Sequence, residues 1–242
     1  MLGLGNSVCS QYVSSGASYA DNYSLSLDGT NDYVDVAVAG LKAAFDPNDF
    51  SISCWINTDD SASARVFSAL KSSGNQIELM YLGASNKIRA KFKFASSTKN
   101  IETSVTPGSW IHVLMSFSSS TGKLSINGGT ASTVSQTNAF AGSVLYGPFI
   151  GAQPNVGVGV SGSFLEVLVS SLAIYDSDVS ANVAEIYNGG TPFDLLTASN
   201  TGGNIIAKYE FEEGSGTTAL DSSGNSYNGT LVNGATYSTT TP

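Results

Sequence analysis

Three glutamates near the end of the chain, Glu210, Glu212 and Glu213, have a residue type and spacing that could support hydrolysis. Two carboxyl groups that face one cleft can act as the acid and the nucleophile in cleavage of a glycosidic bond. Glu210 and Glu212 alternate with Tyr209 and Phe211, so a strand places the glutamates on one face and the rings on the other. Because the rings are the side chains to bury, we expect the glutamates to face solvent, with Glu213 already in a turn.

Nucleophilic catalysis would have to use His112, the only histidine. In a strand, Trp110, His112 and Leu114 share one face, which predicts a hydrogen-bonded structural histidine rather than a catalytic base. Cys54 alternates with isoleucines on a face that should be buried, so we expect an ordinary buried thiol. A disulfide bond between Cys54 and Cys9 stays open, since it would need oxidising surroundings.

Positive charge is concentrated in the segment KIRAKFKF, where Lys87, Arg89, Lys91 and Lys93 alternate with apolar residues. This period of two places four of the ten cations on one face of a strand. One interpretation is a solvated outer face that also protects a sheet edge from aggregation. The other is a contact surface for an acidic partner or polymer. The formal net charge of −9 argues against nucleic acid as that partner.

The elements that would position these residues are short strands separated by turn-forming residues. Asn127-Gly128, between two alternating runs, predicts a type I′ hairpin turn. One short helix is predicted over residues 178–190, with Ser180 as its N-cap. Many short strands at even spacing indicate an all-β sandwich, jelly roll or barrel. Residues 205–242 are too few to bury a core of their own, so they must complete the same sandwich or a neighbour's.

Four segments, in their order and spacing, resemble the laminin G-like, concanavalin A-like jelly-roll family: SLSLDGTNDYVDV, FSISCWIN, GSWIHVLMSFSSSTGKLSINGG and SSLAIYDSDVSANVAEIYNGG. A further segment, YEFEEGSGTTALDSSGNSYNGTL, is similar to one that commonly precedes the SLDG strand in that family, but here it comes last. The resemblance predicts one concanavalin A-like jelly-roll β-sandwich over residues 23–242, with one short helix. We expect its C-terminal segment to pair beside the N-terminal strand and close the sheet. Donation of that strand to an adjacent subunit is the alternative.

The resemblance also implies calcium at the rim of the sandwich, held by carboxylate, amide and backbone oxygens. The candidate ligands lie in two glycine-containing turns and are Asp28, Asn31 and Asp32 in the first, and Asp221, Asn225 and Asn228 in the second. If the C-terminal segment pairs as expected, these two loops lie at the same rim. The alternative is that the residues only cap and shape their own turns.

Enzymes related to this family by fold cleave β-glucans with two carboxylates on one strand, an intervening Asp and tryptophans that line the groove. The YEFEEG segment has no such Asp, and Trp55 and Trp110 both fit ordinary strand positions. We therefore predict that the chain is not an enzyme. Aromatic platforms for a sugar are also few outside the strands. Phe140, Phe149 and Phe164 are the candidates, and Phe carries no polar group.

The segment order and the short start MLGLGNS resemble laminin G-like structural proteins of tailed bacterial viruses. This predicts a non-catalytic structural or adhesion protein on the virion surface, as a head decoration, fibre or tail-associated protein, with host-surface glycan as a candidate ligand. The alternative is a secreted, extracellular carbohydrate-binding module or adhesin of a bacterium. No apolar run in the sequence is long enough to cross a membrane.

Residues 1–22 form a Gly/Ser-rich segment that we interpret as an attachment arm. It would bind a capsid or tail protein, or a sister subunit of a homo-oligomer. We expect its apolar and aromatic residues to make the contact, namely Met1, Leu2, Leu4 and Tyr12, which follows Gln11.

Overall fold

The structure is a computed structural model that describes residues 19, 21–157, 159–162 and 164–242. The arm residues Met1, Leu2, Leu4 and Tyr12, and also Cys9, lie outside these ranges. The regular elements in chain order are β1 (Ser24–Asp28), β2 (Tyr33–Asp35), α1 (Ala39–Ala44), β3 (Phe50–Asn57), β4 (Ser63–Ser72), β5 (Asn75–Leu82), β6 (Lys87–Phe94), β7 (Ser97–Ser104), β8 (Ile111–Ser118), β9 (Thr121–Ile126), β10 (Ser132–Ser135), β11 (Tyr146–Ile150), β12 (Gln153–Asn155), β13 (Gly159–Ser161), β14 (Glu166–Tyr175), α2 (Val183–Tyr187), β15 (Ile205–Tyr209), β16 (Thr218–Ala219), β17 (Gly229–Val232) and β18 (Thr236–Ser238).

Two antiparallel sheets of eight strands each stack to form a sandwich. The first sheet has the order β10-β9-β8-β3-β14-β1-β18, and β15 also pairs with β14. The second sheet has the order β16-β17-β2-β11-β4-β5-β6-β7, and β12 and β13 form a separate hairpin. This architecture confirms the predicted all-β jelly-roll sandwich.

The core lies between the two sheets and is built from alternate residues of their strands. In β6, Ile88, Ala90, Phe92 and Phe94 are fully buried, while the intervening cations are only partly buried. Phe94 meets Phe117 of β8 edge to face across the two layers, with ring centroids 4.9 Å apart. Burying one such side chain stabilises the fold by about 1.5–3 kcal/mol. The period-two pattern therefore decides which face of β6 points inward.

The C-terminal segment closes both sheets beside the N-terminal strands. β18 pairs with β1, with Ser238 opposite Ser24, and β17 pairs with β2, with Val232 opposite Tyr33. β15 occupies the same edge of β14 as β1 does, so these two strands follow each other end to end. The predicted pairing is confirmed, and it forms within one chain.

A second, smaller hydrophobic cluster covers part of the outer face of the first sheet. In this cluster Ile186 of α2 packs with Leu195, on Leu114 of β8 and Tyr175 of β14. The polypeptide between α2 and β15 thus acts as a cover over the first sheet. The outer face of the second sheet has no equivalent helix in the described part of the chain.

The local predictions met different outcomes. Asn127 and Gly128 have φ of 49° and 69°, and Gly129 N–H donates to the Ile126 carbonyl, so the predicted type I′ turn ends β9. The predicted helix over 178–190 is reduced to one α-helical segment flanked by single 3₁₀ turns. A second short helix, α1, was not predicted, and Leu41 is its one buried residue. None of the helices in the described ranges has the length and apolarity needed to span a membrane.

Candidate functional site

The glutamates of the YEFEEG segment line a shallow pocket of about 230 Å³, and two of them bind backbone amides. Glu212 accepts hydrogen bonds from Asn22 N–H at 3.0 Å and from Tyr23 N–H at 3.1 Å. Glu213 accepts one from Leu220 N–H at 2.7 Å. These carboxylates fasten the two ends of the chain together and shape the turn that follows β15.

Glu210 instead pairs with Lys208, which is buried on the strand before it. Lys208 Nζ lies 2.6 Å from Glu210 Oε1 and 2.5 Å from Asp194 Oδ1, and the lysine side chain is 1% exposed. Removing an ammonium group from water costs several kcal/mol unless such partners are present. Neutralising Lys208 therefore accounts for the position of Glu210 without a catalytic role.

His112 is held as a structural residue on the outer face of β8. Its Nε2 lies 2.9 Å from Ser53 Oγ, and its backbone N–H donates to Asn127 Oδ1 at 2.8 Å. Burial lowers the pKa of His112 to about 3, so the ring is neutral near pH 7. This confirms the predicted hydrogen-bonded strand histidine. Cys54 is a buried free thiol whose pKa burial raises to about 12.

The loop after β1 brings two carboxyl groups together. Asp32 is 2% exposed, its Oδ2 accepts a hydrogen bond from Asp28 N–H at 2.8 Å, and its Oδ1 has no partner among the described residues. Burial, together with the neighbouring Asp28 carboxyl group, raises the pKa of Asp32 to about 6. Asn31 is exposed beside them. A buried, unpartnered carboxylate oxygen next to a second carboxyl group fits a bound cation with oxygen ligands.

The second predicted calcium loop uses its polar groups to build the turn itself. Asp221 accepts backbone hydrogen bonds of 2.9 Å from three residues, Lys208, Ser223 and Tyr227. Asn228 accepts one from Asp221 N–H at 2.9 Å, and Asn225 donates one to a backbone carbonyl at 3.0 Å. The side-chain oxygens of Asp221 and Asn228 thus already accept hydrogen bonds from the backbone, which makes them poor candidates for metal ligands.

The two predicted calcium loops lie at opposite ends of β17 rather than at one rim. The 221–228 loop ends where β17 begins. Asn31 C=O accepts a hydrogen bond at 3.1 Å from Asn233, in the turn that follows β17. Four residues of strand separate them by about 13 Å, because β17 runs antiparallel to β2. Within the described ranges, no group of three or more His, Cys, Asp or Glu side chains is placed to hold a metal ion.

A pocket of about 360 Å³ opens at the sandwich rim next to the Asp28 loop. We call it the rim pocket, and it is lined by Ser26, Leu27, Asn57, Thr58, Asp59, Gly108, Glu166, Val167 and Leu168. Thr58 Oγ1 donates to the Glu166 carbonyl at 2.6 Å, which joins β3 to the start of β14. Asp28 lies opposite Glu166 in the β1–β14 register. The carboxyl groups of Asp28, Asp59 and Glu166 make this rim acidic.

The basic strand β6 lies inside the second sheet, between β5 and β7, so its cations do not protect a sheet edge. They point away from the core onto a surface that we call the basic face. The strand registers show that the basic face includes Arg65, Ser68, Gln76, Glu78, Met80, Lys87, Arg89, Lys91, Lys93, Asn100 and Glu102. Sequence reasoning found the β6 members from their alternation but not the members from the other strands.

Two outward-pointing side chains in the middle of the basic face are almost completely covered. Glu78 and Met80 point outward, yet they are only 1% and 6% exposed. Lys91 Nζ lies 2.9 Å from Glu78 Oε2, and Arg65 Nε lies 3.5 Å from Glu78 Oε1. Lys91 also donates to Gln76 Oε1 at 2.9 Å. One buried carboxylate thus forms ion pairs with two cations of the basic face.

A second carboxylate on the basic face is shared in the same way. Arg89 Nη2 lies 2.6 Å from Glu102 Oε1, and Lys87 Nζ lies 3.3 Å from Glu102 Oε2. Hydrogen bonds from Arg89 and Lys87 hold the pKa of Glu102 below its ordinary value. Lys93 has no carboxylate partner among the described residues. Five cations and two carboxylates leave the basic face with a net charge of +3.

Aromatic rings lie beside the basic face but are mostly covered. Phe149 of β11 sits opposite Ser68 and is 5% exposed; its ring centroid is 5.5 Å from that of Tyr33. Phe164 lies 6.4 Å from Tyr33. Phe140 is a core residue, 2% exposed, that meets Phe94 edge to face. Of the three expected loop platforms, Phe149 is therefore on a strand and Phe140 is inside the core.

The match to a known family rests on most of the sandwich. The laminin G-type model described as the concanavalin A-like lectin/glucanases superfamily matches residues 28–185, which is well over half of the chain. The chain belongs to this superfamily. In this superfamily member, the matched region runs from the end of β1 into α2, so β15 to β18 lie outside it. A comparison with curated proteins gave no match.

Several solved structures share the fold of this superfamily member. A proposed carbohydrate-binding protein from Bacteroides ovatus has a TM-score of 0.62 and is 13% identical in sequence. The match covers 90% of this chain and 60% of that protein's length. The CBM40 module of a Ruminococcus gnavus sialidase, bound to α2,3-sialyllactose, has a TM-score of 0.54 at 14% identity over 69% of this chain and 98% of that module. Mouse laminin α1 domains LG4-5 give 0.51 at 12% identity over 66% of this chain and 43% of theirs. Identities this low support the fold alone.

Proposed function

We propose that this superfamily member is a non-catalytic glycan-binding protein and that the basic face is its binding surface. The observation that carries the proposal is the ion-pair cluster in which the buried carboxylate of Glu78 pairs with both Arg65 and Lys91. A sugar site needs polar groups fixed in advance beside some apolar surface. The basic face offers polar groups of this kind, because its charged side chains pair with one another.

The absence of a catalytic role is part of the proposal. Glycosidases use two carboxyl groups that are free to protonate and attack. Here Glu210 neutralises Lys208, and Glu212 and Glu213 bind backbone amides. Neighbours of the same fold are described as carbohydrate-binding proteins and modules, which supports binding as the function.

The setting we propose is display on the surface of a viral particle, with residues 1–22 as the attachment arm. The support is the order of segments. The YEFEEG segment, which precedes the SLDG strand in related domains, comes after α2 in this chain. In space, however, its strand β15 lies end to end with β1. The alternative is a secreted bacterial carbohydrate-binding module, and a protein of the same fold from Bacteroides ovatus is described as carbohydrate-binding. Deletion of residues 1–18, which keeps the contact between Asn22 and Glu212, separates the two, because only a particle protein should lose attachment while its glycan binding persists.

Calcium is a further proposal, restricted to the first loop. Asp28, Asn31 and Asp32 would hold the ion, which would satisfy the unpartnered oxygen of Asp32. In that position the ion would order the rim beside Glu166 rather than take part in chemistry.

The proposed function is tested by glycan binding with two matched amide variants. Wild-type protein is screened against neutral and acidic polysaccharides, and Kd values are measured by calorimetry. Gln76→Ala lies on the basic face, and Asn57→Ala lies in the rim pocket. Loss of one neutral hydrogen bond, worth about 1 kcal/mol, should weaken binding roughly fivefold for Gln76→Ala and leave Asn57→Ala unchanged.

Two results would contradict the proposal. Binding weakened by Asn57→Ala but not by Gln76→Ala would move the site to the rim pocket. No binding to any glycan, with both variants folded by thermal melt, would remove the function.

A further inference from the structure

We propose that the ligand of the basic face is an anionic polysaccharide, one that carries a carboxylate or sulfate group on each repeat. This inference rests on the proposed function and adds the class of glycan. It follows from how charge is distributed in a chain that is acidic as a whole.

Charge is strongly segregated along the sequence. Residues 63–104, which form β4 to β7, contain seven of the ten cations and two of the nineteen carboxylates. The rest of the chain holds three cations and seventeen carboxylates, so the two parts carry +5 and −14, which sum to −9. A solvated surface gains nothing from such separation, whereas a site for an acidic ligand concentrates that ligand at its positive side.

The cations of the basic face are arranged in a line. Lys87, Arg89, Lys91 and Lys93 occur at every second residue of β6, so their attachment points are spaced by about 6.6 Å. A single small anion would need a convergent cluster. A line of charges along one strand is suited to a polymer with repeated anionic groups.

Each carboxylate on the face balances less charge than surrounds it. Glu78 lies between Arg65 and Lys91, and Glu102 lies between Arg89 and Lys87. The carboxylates hold the cations in position but neutralise only two of five charges. Lys93, at the end of the line, retains a full charge for a ligand.

The uncharged members of the face suit a sugar rather than a bare anion. Met80 is only 6% exposed, so a ligand would meet mainly the polar groups of the face. The half-buried Gln76 and the exposed Asn100 provide neutral donors and acceptors for sugar hydroxyl groups.

The experiment compares polygalacturonate and dextran sulfate with neutral dextran of matched length, by affinity electrophoresis at low and high salt. The wild-type protein should be retarded by both acidic polymers, with the retardation lost at high salt, and not by dextran. Lys93→Glu should weaken binding to the acidic polymers at least tenfold, since it replaces a charge-assisted contact with repulsion.

The matched control is Lys99→Glu. Lys99 lies on β7 opposite the core residue Phe92, so its side chain leaves the sheet on the side away from the basic face. The net charge change is the same, and binding should fall by less than twofold. Thermal melts confirm that both variants fold.

The possible outcomes separate this inference from the proposed function. Retardation by dextran equal to that by the acidic polymers, with no effect of Lys93→Glu, would overturn the anionic assignment and leave glycan binding in place. No retardation by any polymer would overturn both. Self-association in sedimentation that Lys93→Glu abolishes, without polymer binding, would show that the acidic surface of a second copy covers the face. Binding to a DNA oligonucleotide but not to the polysaccharides would equally overturn the inference.

Discussion

Glu212 accepts hydrogen bonds from the backbone N–H of Asn22 through both carboxylate oxygens, each at 3.0 Å, although the residues are 190 positions apart. The contact lies where β15 ends and β1 begins. Together with the β18–β1 pairing, it joins the end of the chain to its start. A carboxylate in this position should determine stability and not ligand binding.

Replacing Glu212 tests that assignment. Glu212→Ala should lower the free energy of unfolding by about 1–2 kcal/mol, because two backbone N–H groups lose their acceptor and regain only partial solvation. Glu212→Gln keeps one acceptor oxygen and should lose about half as much. Urea unfolding measures both, with Glu166→Gln on the exposed rim as the control. Wild-type stability in Glu212→Ala would show that the contact contributes nothing.

Asp21 should make stability depend on pH. Burial, with the negative charge of Glu212, raises the pKa of Asp21 to about 6, from an ordinary 3.8. The folded state then binds more protons than the unfolded state between these values, so the contribution of Asp21 is complete at acidic pH and is lost as the pH rises through about 6. Asp21→Asn should therefore be more stable than wild type near neutral pH. Thermal melts across this window measure the difference, and parallel curves would refute it.

His112 should act in the opposite direction. Its folded pKa of about 3 lies below the ordinary 6.5, so the unfolded state takes up a proton that the folded state refuses. Stability from this group is complete above about pH 6.5 and falls as the pH drops towards 3. His112→Gln keeps a hydrogen-bond partner for Ser53 and should reduce the acid sensitivity. Acid unfolding monitored by circular dichroism measures it; an unchanged acid midpoint would mean that other groups set it.

The sequence predicted best where the signal was local or strictly periodic. Ile88 to Phe94 alternate without a break, so their burial was predictable. Asn127-Gly128 specified its own turn because both residues tolerate positive φ. The pairing of the C-terminal segment followed from family resemblance and from the need to cover an edge.

Contacts that depend on strand register were not predictable. Lys91 meets Glu78 only because the turn between β5 and β6, with Asn86 in a left-handed conformation at φ 49°, sets the two strands opposite each other. Met80 points away from the core but is buried by the side chains around it. Its hydrophobicity alone would wrongly predict that it faces the core. The separation of the two acidic loops likewise depends on the direction in which β17 runs beside β2.

Calcium should bind to the first acidic loop and not to the second. Chelator treatment should lower the melting temperature by a few degrees, since a bound ion stabilises the folded state by mass action. The double variant Asp28→Asn, Asp32→Asn should melt at the same temperature with and without calcium. Asp221→Asn should keep the calcium response while losing stability, because it weakens three backbone contacts. A melt of the wild type that chelator does not change would remove the site.

The fold should tolerate a change in the order of its segments. Ser24 Oγ donates to the Thr240 carbonyl at 2.8 Å, so the C-terminus lies beside the start of β1. A permutant that begins at Asn200, joins Pro242 to Asp21 through a short flexible linker and ends at Ser199 keeps every strand pair. Its unfolding transition should be cooperative and within about 2 kcal/mol of a matched chain of residues 21–242, because the new linker is short and the opened loop is exposed. The truncated chain 21–199 removes one partner strand from each of β1, β2 and β14 and should not fold. If the truncated chain folded and the permutant did not, β15 to β18 would be an appendage, and the sandwich would be complete without the contact between Glu212 and Asn22.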